Sequence, residues 1–329
     1  MAETLRSNFD LLFLGHFAVD RNVVDGVAEI ASGGGVYYGG IAAARLGARV
    51  AVMTRLRRED FPRLDDFRAA GVEVFAVAAD ATSGIENSYS SADMERRVCR
   101  PLGFAGPISP EDLPWVQKPG FSEKPGFLDV TASIYAVTPI IAGEVDLPLL
   151  KLLAARVRGV TGASESAGHF APAGVALDVQ GFVRVRVGDE LLFRSWADMV
   201  EGLAQVTYLK VDRAEAEALT GETDLARAAA RLAAYGPREI VLTQSAGVMV
   251  YAGGQTHLAP FTPRALAGRT GRGDTCFATY LTKRLTCSPE EACRWAGAVT
   301  TLKQEAAGPW RGSAADAEAL LRITGAGRS

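Results

Sequence analysis

Short apolar runs that end in glycine or in turn residues punctuate the chain, and stretches with helical periodicity separate them. Phe9-Asp-Leu-Leu-Phe-Leu-Gly15 predicts a buried strand closed by glycine, with Asp20 just past its end. Gly33-Gly-Gly-Val-Tyr-Tyr-Gly-Gly40 then runs into Ile41-Ala-Ala-Ala-Arg-Leu-Gly47, a helix stopped by glycine, and Val50-Ala-Val-Met53 predicts the next strand. Further along, the pattern predicts strands at 127–130, 175–179, 206–211, 239–243 and Val248–Tyr251. Helices are expected at 146–158, 213–219, 224–234, within Thr270–Leu285, near 289–303 and near 313–322. Strands alternating with helices in this way predict an α/β fold: a mostly parallel sheet covered by helices on both faces, in three layers.

Two stretches read differently. Residues 21–31 and 83–100 are short polar or alternating segments, exemplified by Ser88-Tyr-Ser-Ser and Arg96-Arg-Val-Cys99, and predict a small antiparallel flap outside the main sheet. Pro101–Gly126 is rich in proline and glycine and reads as a surface connection, and Gly325–Ser329 as a frayed tail. Neither an internal repeat nor a low-complexity segment is visible, so residues 1–329 are expected to form one domain.

Composition narrows the class. With 329 residues, 48% of them hydrophobic, the chain can bury a large core. The longest apolar runs, Phe9–Phe17 and Gly174–Val179, fall well short of the ~20 residues that cross a membrane as a helix. The first 30 residues carry Glu3, Asp10, Asp20 and Asp25 and lack the basic start and apolar stretch of an export signal. Cys99, Cys276, Cys287 and Cys293 have neither metal-ligand spacing nor disulfide-scaffold density, which fits reduced thiols in a cytoplasm. A net charge of −3 from 35 basic and 38 acidic residues gives no reason to expect nucleic acid as a partner.

The sharpest local signal is Arg269-Thr-Gly-Arg-Gly-Asp-Thr-Cys-Phe277, which continues directly into Ala278-Thr-Tyr-Leu-Thr-Lys-Arg-Leu285. Gly271 and Gly273 allow a tight turn that exposes N–H groups where a helix begins. Such a turn attracts phosphate, and Asp274 is placed to take a proton from an attacking hydroxyl. By itself, however, Asp274 reads more readily as a helix N-cap. Other nucleotide motifs are missing: there is no Gly-x-x-x-x-Gly-Lys-Ser/Thr run, and no Gly-x-Gly-x-x-Gly after the first strand. His16, His169 and His257 are too widely separated in sequence to suggest a zinc hydrolase or a Ser/His/Asp enzyme.

Two of these motifs, in this order, resemble the ribokinase-like carbohydrate kinases of the PfkB type. The glycine motif at 33–47 with its Ala-Arg-Leu-Gly ending is one, and Thr270-Gly-Arg-Gly-Asp-Thr-Cys-Phe277 is similar to the family's Thr-Gly-Ala-Gly-Asp-Ser/Thr-Phe signature. Between them, Val211–Gly221 is similar to the family's Asn-x-x-Glu segment and Leu242–Val248 to its strand and turn over the nucleotide. The resemblance spans Asp10 to about Leu321. It implies a ribokinase-like sandwich with a β lid, and a kinase that uses ATP and Mg2+ to phosphorylate a hydroxyl of a small polyol. Asp274 would be the base, and the N–H groups around Gly271, Arg272 and Gly273 the anion hole. Asp20, Gly33, Gly34 and Tyr38 would meet the substrate. Asp212, Glu215, Thr243 and Gly247 would serve the nucleotide, with Glu215 placing magnesium through water. In some members such lids pair two subunits, so the resemblance allows a homodimer through the lid.

Three positions depart from the family pattern. Arg272 stands where alanine is usual, Tyr38 where asparagine follows Gly-Gly, and Asp212 where asparagine opens Asn-x-x-Glu. Tyrosine cannot make the two-sided amide contact of asparagine with sugar hydroxyls, so the expected substrate is an unusual polyol, a cyclitol such as inositol, or a nucleoside. The departures also motivate an alternative, a ligand-binding or regulatory member without turnover; the retained Asp274 between its glycines and helix argues against it.

Overall fold

The computed structural model describes residues 6–90, 93–116, 129–161 and 172–325. Its centre is a nine-stranded sheet, and the first strand, Arg6–Leu14, lies third from one edge between Asp129–Val137 and Val50–Leu56. From Glu73–Ala78 at that edge to Glu239–Gln244 every pairing is parallel. The far edge is an antiparallel hairpin, Gly247–Ala252 and Gln255–Pro260. Strands such as Leu11–Leu14, Val50–Met53 and Gly174–Asp178 are buried along their whole length, as a sheet covered on both faces requires.

Each face carries its own core. On one, helices Gly35–Arg45, Arg272–Arg284 and Pro289–Gln304 pack through Val36, Ile41, Phe277, Leu281 and Ala296 onto Phe13, Val52 and Val241. On the other, Leu147–Thr161, Arg213–Thr220 and Leu225–Ala233 cover Leu12, Leu14, Leu177 and Leu209. Small residues bring the first helix close: a Cβ on Gly39 would come within 2.8 Å of the Phe13 ring.

The lid is a separate four-stranded sheet of Val27–Gly33, Ala18–Val24, Gly84–Ser90 and Asp93–Gly103. Its first hairpin turns at Asp25-Gly26, both with positive φ (48° and 85°), the conformation a two-residue turn between twisted strands demands. The expected flap segments 21–31 and 83–100 fall in this sheet, 91–92 lying outside the described residues. The sheet reaches further, to Ala18 and Gly103, and it is not wholly antiparallel as expected, because Ala18–Val24 and Gly84–Ser90, which join its two hairpins, pair in parallel. A second small hairpin, Arg184–Val187 with Glu190–Phe193, packs beside it.

Several expectations are corrected. The strand expected at 127–130 runs instead over Asp129–Val137, with 127–128 outside the described residues; Thr131 and Ser133 interrupt its apolar run and hide its true extent. Strands Glu73–Ala78 and Gln255–Pro260 and the hairpin at 184–193 add to the expected elements. The expected connection at 101–126 is described only to 116, and the tail only to Gly325. Among the described residues no helix is long and apolar enough to cross a membrane.

Candidate active site

The chain turns from its first strand into the lid at Gly15-His16-Phe17, and this corner is built from buried polar groups. Glu144 accepts the backbone N–H groups of His16 and, at 2.8 Å, Ile140. Burial pushes the Glu144 carboxyl up to about 8 and the His16 imidazole down to about 3, so His16 is neutral; its Nδ1 lies 2.8 Å from Ser83 Oγ. The corner positions the glycine motif. Gly34 has φ +94°, and a Cβ there would strike the His16 carbonyl at 2.4 Å, so only glycine fits. A Cβ on Gly33 would strike Asp20 Oδ2 at 2.3 Å.

A cavity of about 290 Å³ opens between lid and sheet at the carboxyl ends of the central strands. Asp20, Gly34, Tyr38, Asp212, Thr243, Gly271, Arg272, Gly273 and Asp274, all expected from the sequence, line it. Gly33 stands just behind, against Asp20. Gly247 does not reach the cavity: it pairs in the edge hairpin, and a Cβ there would meet the Ala259 carbonyl at 2.4 Å. Its glycine serves that close strand contact. Glu215 is buried below the cavity floor, where its Oε2 accepts the Asp212 N–H at 2.7 Å and Asp212 Oδ1 accepts the Glu215 N–H at 2.8 Å. That reciprocal capping box starts the helix, and Glu215 Oε1 is left without a hydrogen-bond partner in the structure.

Asp274 stands in the first turn of Arg272–Arg284, whose N-cap, Gly271, takes the left-handed conformation at φ 79°. The Arg272 N–H is donated to the Arg269 carbonyl at 3.1 Å and the Thr275 N–H to the Gly271 carbonyl at 3.0 Å. This corrects the expected anion hole: Arg272 lines the cavity, but its N–H is taken by the turn, and the Gly273 N–H has no backbone acceptor among the described residues. Burial, then repulsion from Asp178, pushes the Asp274 carboxyl up to about 6 against the pull of Lys210 and Lys303. A carboxylate so tuned is a competent proton acceptor near neutral pH.

Lys210 is the main site residue that sequence reasoning missed. Its Nζ stands 2.9 Å from Asp178 Oδ2 and 3.8 Å from Glu215 Oε2, and a Cβ on Gly273 would come 3.5 Å from Nζ. Burial alone would draw this ammonium down, but Asp178, then Glu215 and Asp212, hold it above the usual lysine range and fully charged. A lysine between Leu209 and Val211 in the strand Tyr208–Asp212 was a usable signal, because lysine is almost never buried without a partner. Arg184 and Arg269 add two more cations to the cavity wall. Gly35 and, from the lid, Asn87 were also missed; both line the cavity, and Cys99 donates to Asn87 Oδ1 at 3.4 Å.

Comparison with known proteins agrees with this geometry. Residues 188–311 match the model of the pfkB family of carbohydrate kinases. A pyrophosphate-dependent kinase in the ribokinase family, solved with a pyrophosphate analogue and myo-inositol, is 33% identical over 94% of this chain and 99% of its own, with a TM-score of 0.78. A pyrophosphate-dependent myo-inositol-1 kinase converted into a myo-inositol-3 kinase by two substitutions is 32% identical over 96% of this chain and 99% of its own, at 0.77. Ribokinase from Arabidopsis thaliana, complexed with ribose and ATP, shares the fold at 18% identity, covering 96% of this chain and 99% of its own, with a TM-score of 0.71. No curated protein sequence matches the chain. A full-length likeness at one-third identity and a glycine-flanked aspartate at the mouth of a cation-lined cavity lead to one assignment: the chain belongs to the ribokinase-like pfkB family of carbohydrate kinases.

Proposed function

We propose that the protein transfers a phosphoryl group from pyrophosphate to a hydroxyl of myo-inositol or a closely related cyclitol, with Asp274 as the base. The observation that carries this reading is the lining of the cavity: Asp20 and Asn87 reach it from the lid, and Arg184, Lys210, Arg269 and Arg272 line it together with Asp274. A cyclitol suits Asp20 and Asn87, which offer a carboxylate and an amide to a ring of hydroxyls. Pyrophosphate suits the cations. Four basic residues line the cavity and can answer phosphate charge, and about 290 Å³ lies at the lower end of ligand cavities, roughly 300–1,000 Å³, which suits a donor without a nucleoside. The pyrophosphate-dependent relatives at about one-third identity support the same donor, in place of the ATP expected from the sequence.

Chemically, the roles follow from charge. The Asp274 carboxylate accepts the proton of the attacking hydroxyl as the oxygen closes on phosphorus. The Gly273 N–H and the positive end of helix Arg272–Arg284 face the transferring phosphoryl oxygens, and Lys210 stands beside them. Lys210 is held in place by Asp178, so its charge needs no reorganisation during transfer. Magnesium fits this donor set: Asp212 lines the cavity, and Glu215 Oε1 is a buried carboxylate oxygen with no partner in the structure, as an ion held mainly by phosphates and water would need. When bound, magnesium would supply further neutralisation of phosphate charge.

The test is a donor-by-acceptor grid followed by phosphorus NMR: pyrophosphate or ATP, each with magnesium, against myo-inositol, other inositol stereoisomers, ribose and a nucleoside. A phosphomonoester formed from pyrophosphate and an inositol is the expected result. Turnover confined to ATP would remove the donor assignment, and turnover confined to ribose or the nucleoside would remove the acceptor.

A further inference from the structure

Two carbonyl groups that lead into the phosphate-binding turn are gripped by a buried ammonium that the reaction itself does not touch. Lys303, near the end of helix Pro289–Gln304 and 2% exposed, donates from Nζ to the Gly268 carbonyl at 2.6 Å and to the Thr270 carbonyl at 2.5 Å. The same ammonium stands 5.3 Å from the centre of the Tyr38 ring. That ring is the floor under the turn, since a Cβ on Gly271 would fall 2.2 Å from it. The neighbouring Gln304 carbonyl accepts the N–H groups of Ala267 and Gly268 at 3.0 and 2.9 Å, so this helix end grips the loop on both sides.

Among the described residues Lys303 forms no ion pair with a carboxylate within bonding distance. At bonding distance this buried lysine is answered by neutral carbonyls and a ring face, with the charge of Asp274 acting from farther off; as packing alone it is costly, because an apolar side chain of similar length would fill the space without desolvating a charge. Its donor set, by contrast, is what a small monovalent cation accepts: carbonyl oxygens converging on one point beside an aromatic face.

We propose that Lys303 is a positioning residue for phosphoryl transfer, a built-in ammonium that takes the place of a bound monovalent cation and fixes the Gly268 and Thr270 carbonyls so that the Gly271–Gly273 turn faces the phosphate before the donor arrives. The proposal rests on the reading of that turn as the anion hole. It makes the parent enzyme indifferent to potassium, and it makes removal of the side chain open a carbonyl-lined hole of cation size.

The test compares the parent with Lys303→Ala and Lys303→Met in tetramethylammonium chloride and in potassium or ammonium chloride at equal ionic strength. Lys303→Ala is expected to lose on the order of 10²-fold in kcat with little change in KM for the polyol, as when an oriented oxyanion donor is lost. Potassium or ammonium is expected to return at least ~10-fold of that loss, because small displacements of a catalytic loop carry effects of this size. Lys303→Met, whose own chain fills the hole, should not be rescued. Melting curves need no turnover: potassium should raise the Tm of Lys303→Ala and leave that of the parent unchanged, so this outcome is independent of which donor or acceptor the enzyme uses. A parent that requires added potassium, a folded Lys303→Ala whose rate and Tm ignore small cations, or a Lys303→Ala that stays unfolded in every salt would overturn the proposal.

Discussion

Gly35 and Asp274 meet face to face: a Cβ built on Gly35 would stand 3.1 Å from Asp274 Oδ1 and 2.6 Å from the Thr138 Cβ. The first helix therefore forms one wall of the space beside the Asp274 carboxylate, and under the proposed base role the glycine leaves room there for the acceptor hydroxyl. Gly35→Ala is expected to cost stability by about 1–3 kcal/mol through overpacking, and kcat by more than that change in folding explains. Parallel melting and rate measurements check this; a variant with the parent's rate would mean that Asp274 does not use this face.

The carboxylates around the site give a pH dependence with a definite sign. Asp274 is faced by Asp178, Lys210 and Lys303, and its folded-state carboxyl is raised to about 6. Because the base must be deprotonated, kcat/KM should fall as pH drops through about 6 and be flat just above it. Lys303 is faced by Asp274 and Arg272 and packs on Tyr38; burial lowers its ammonium to about 8, so activity should fall again as pH rises through that value. A rate profile from pH 5 to 9 checks both limbs, and a profile flat across the acid limb removes Asp274 from the base role.

Lys210→Met should weaken the donor more than the acceptor. The ammonium stands 3.5 Å from a Cβ built on Gly273 and is pinned by Asp178, so its removal takes a fixed charge from the phosphate side and leaves Asp178 and Glu215 unpaired in the interior. A drop of on the order of 10²–10³ in kcat/KM for pyrophosphate is expected, against a small change in KM for the cyclitol. Steady-state kinetics with each substrate varied in turn decide it.

Glu215→Gln isolates the magnesium assignment. The amide keeps the shape of the capping box but removes the negative charge behind Asp212. The magnesium concentration needed for half-maximal activity should rise, with little loss at saturating metal. An unchanged requirement would confine Glu215 to capping its helix and pairing with Lys210.

Much of this site was legible before any coordinates, because phosphate turns depend on backbone conformations that only particular residues allow. Gly34 and Gly271 have positive φ, and such positions advertise themselves as glycine motifs. The strand and helix order was legible for the same kind of reason: fully buried parallel strands such as Val50–Met53 are continuous apolar runs. What stayed hidden depended on partners distant in sequence. Arg184 reaches the cavity from a hairpin whose alternating residues mark strands but not which of its arginines meets a ligand, and Asn87 arrives on a lid strand with no local mark of function. Gly247 misled in the opposite direction, since a glycine needed for strand packing cannot be told by type from one needed for a ligand. Tyr38, read as a substrate-choosing departure, does line the cavity, but it also supports Gly271 from below, a contact that only the three-dimensional arrangement reveals.

The central claim is that Asp274 moves the proton, and Asp274→Asn tests it most directly. Asparagine keeps the size of the side chain and remains a competent residue for a first helical turn, so a purely structural aspartate predicts an active protein. Burial and Asp178 make the charged carboxylate unfavourable in the folded state, so removing the charge should leave the Tm unchanged or raise it at pH 7. The account predicts a fall in kcat on the order of 10²–10⁴ with the cyclitol and pyrophosphate, without loss of stability or of donor binding. Turnover by Asp274→Asn at the parent rate, measured with an acceptor the parent uses well, would contradict it.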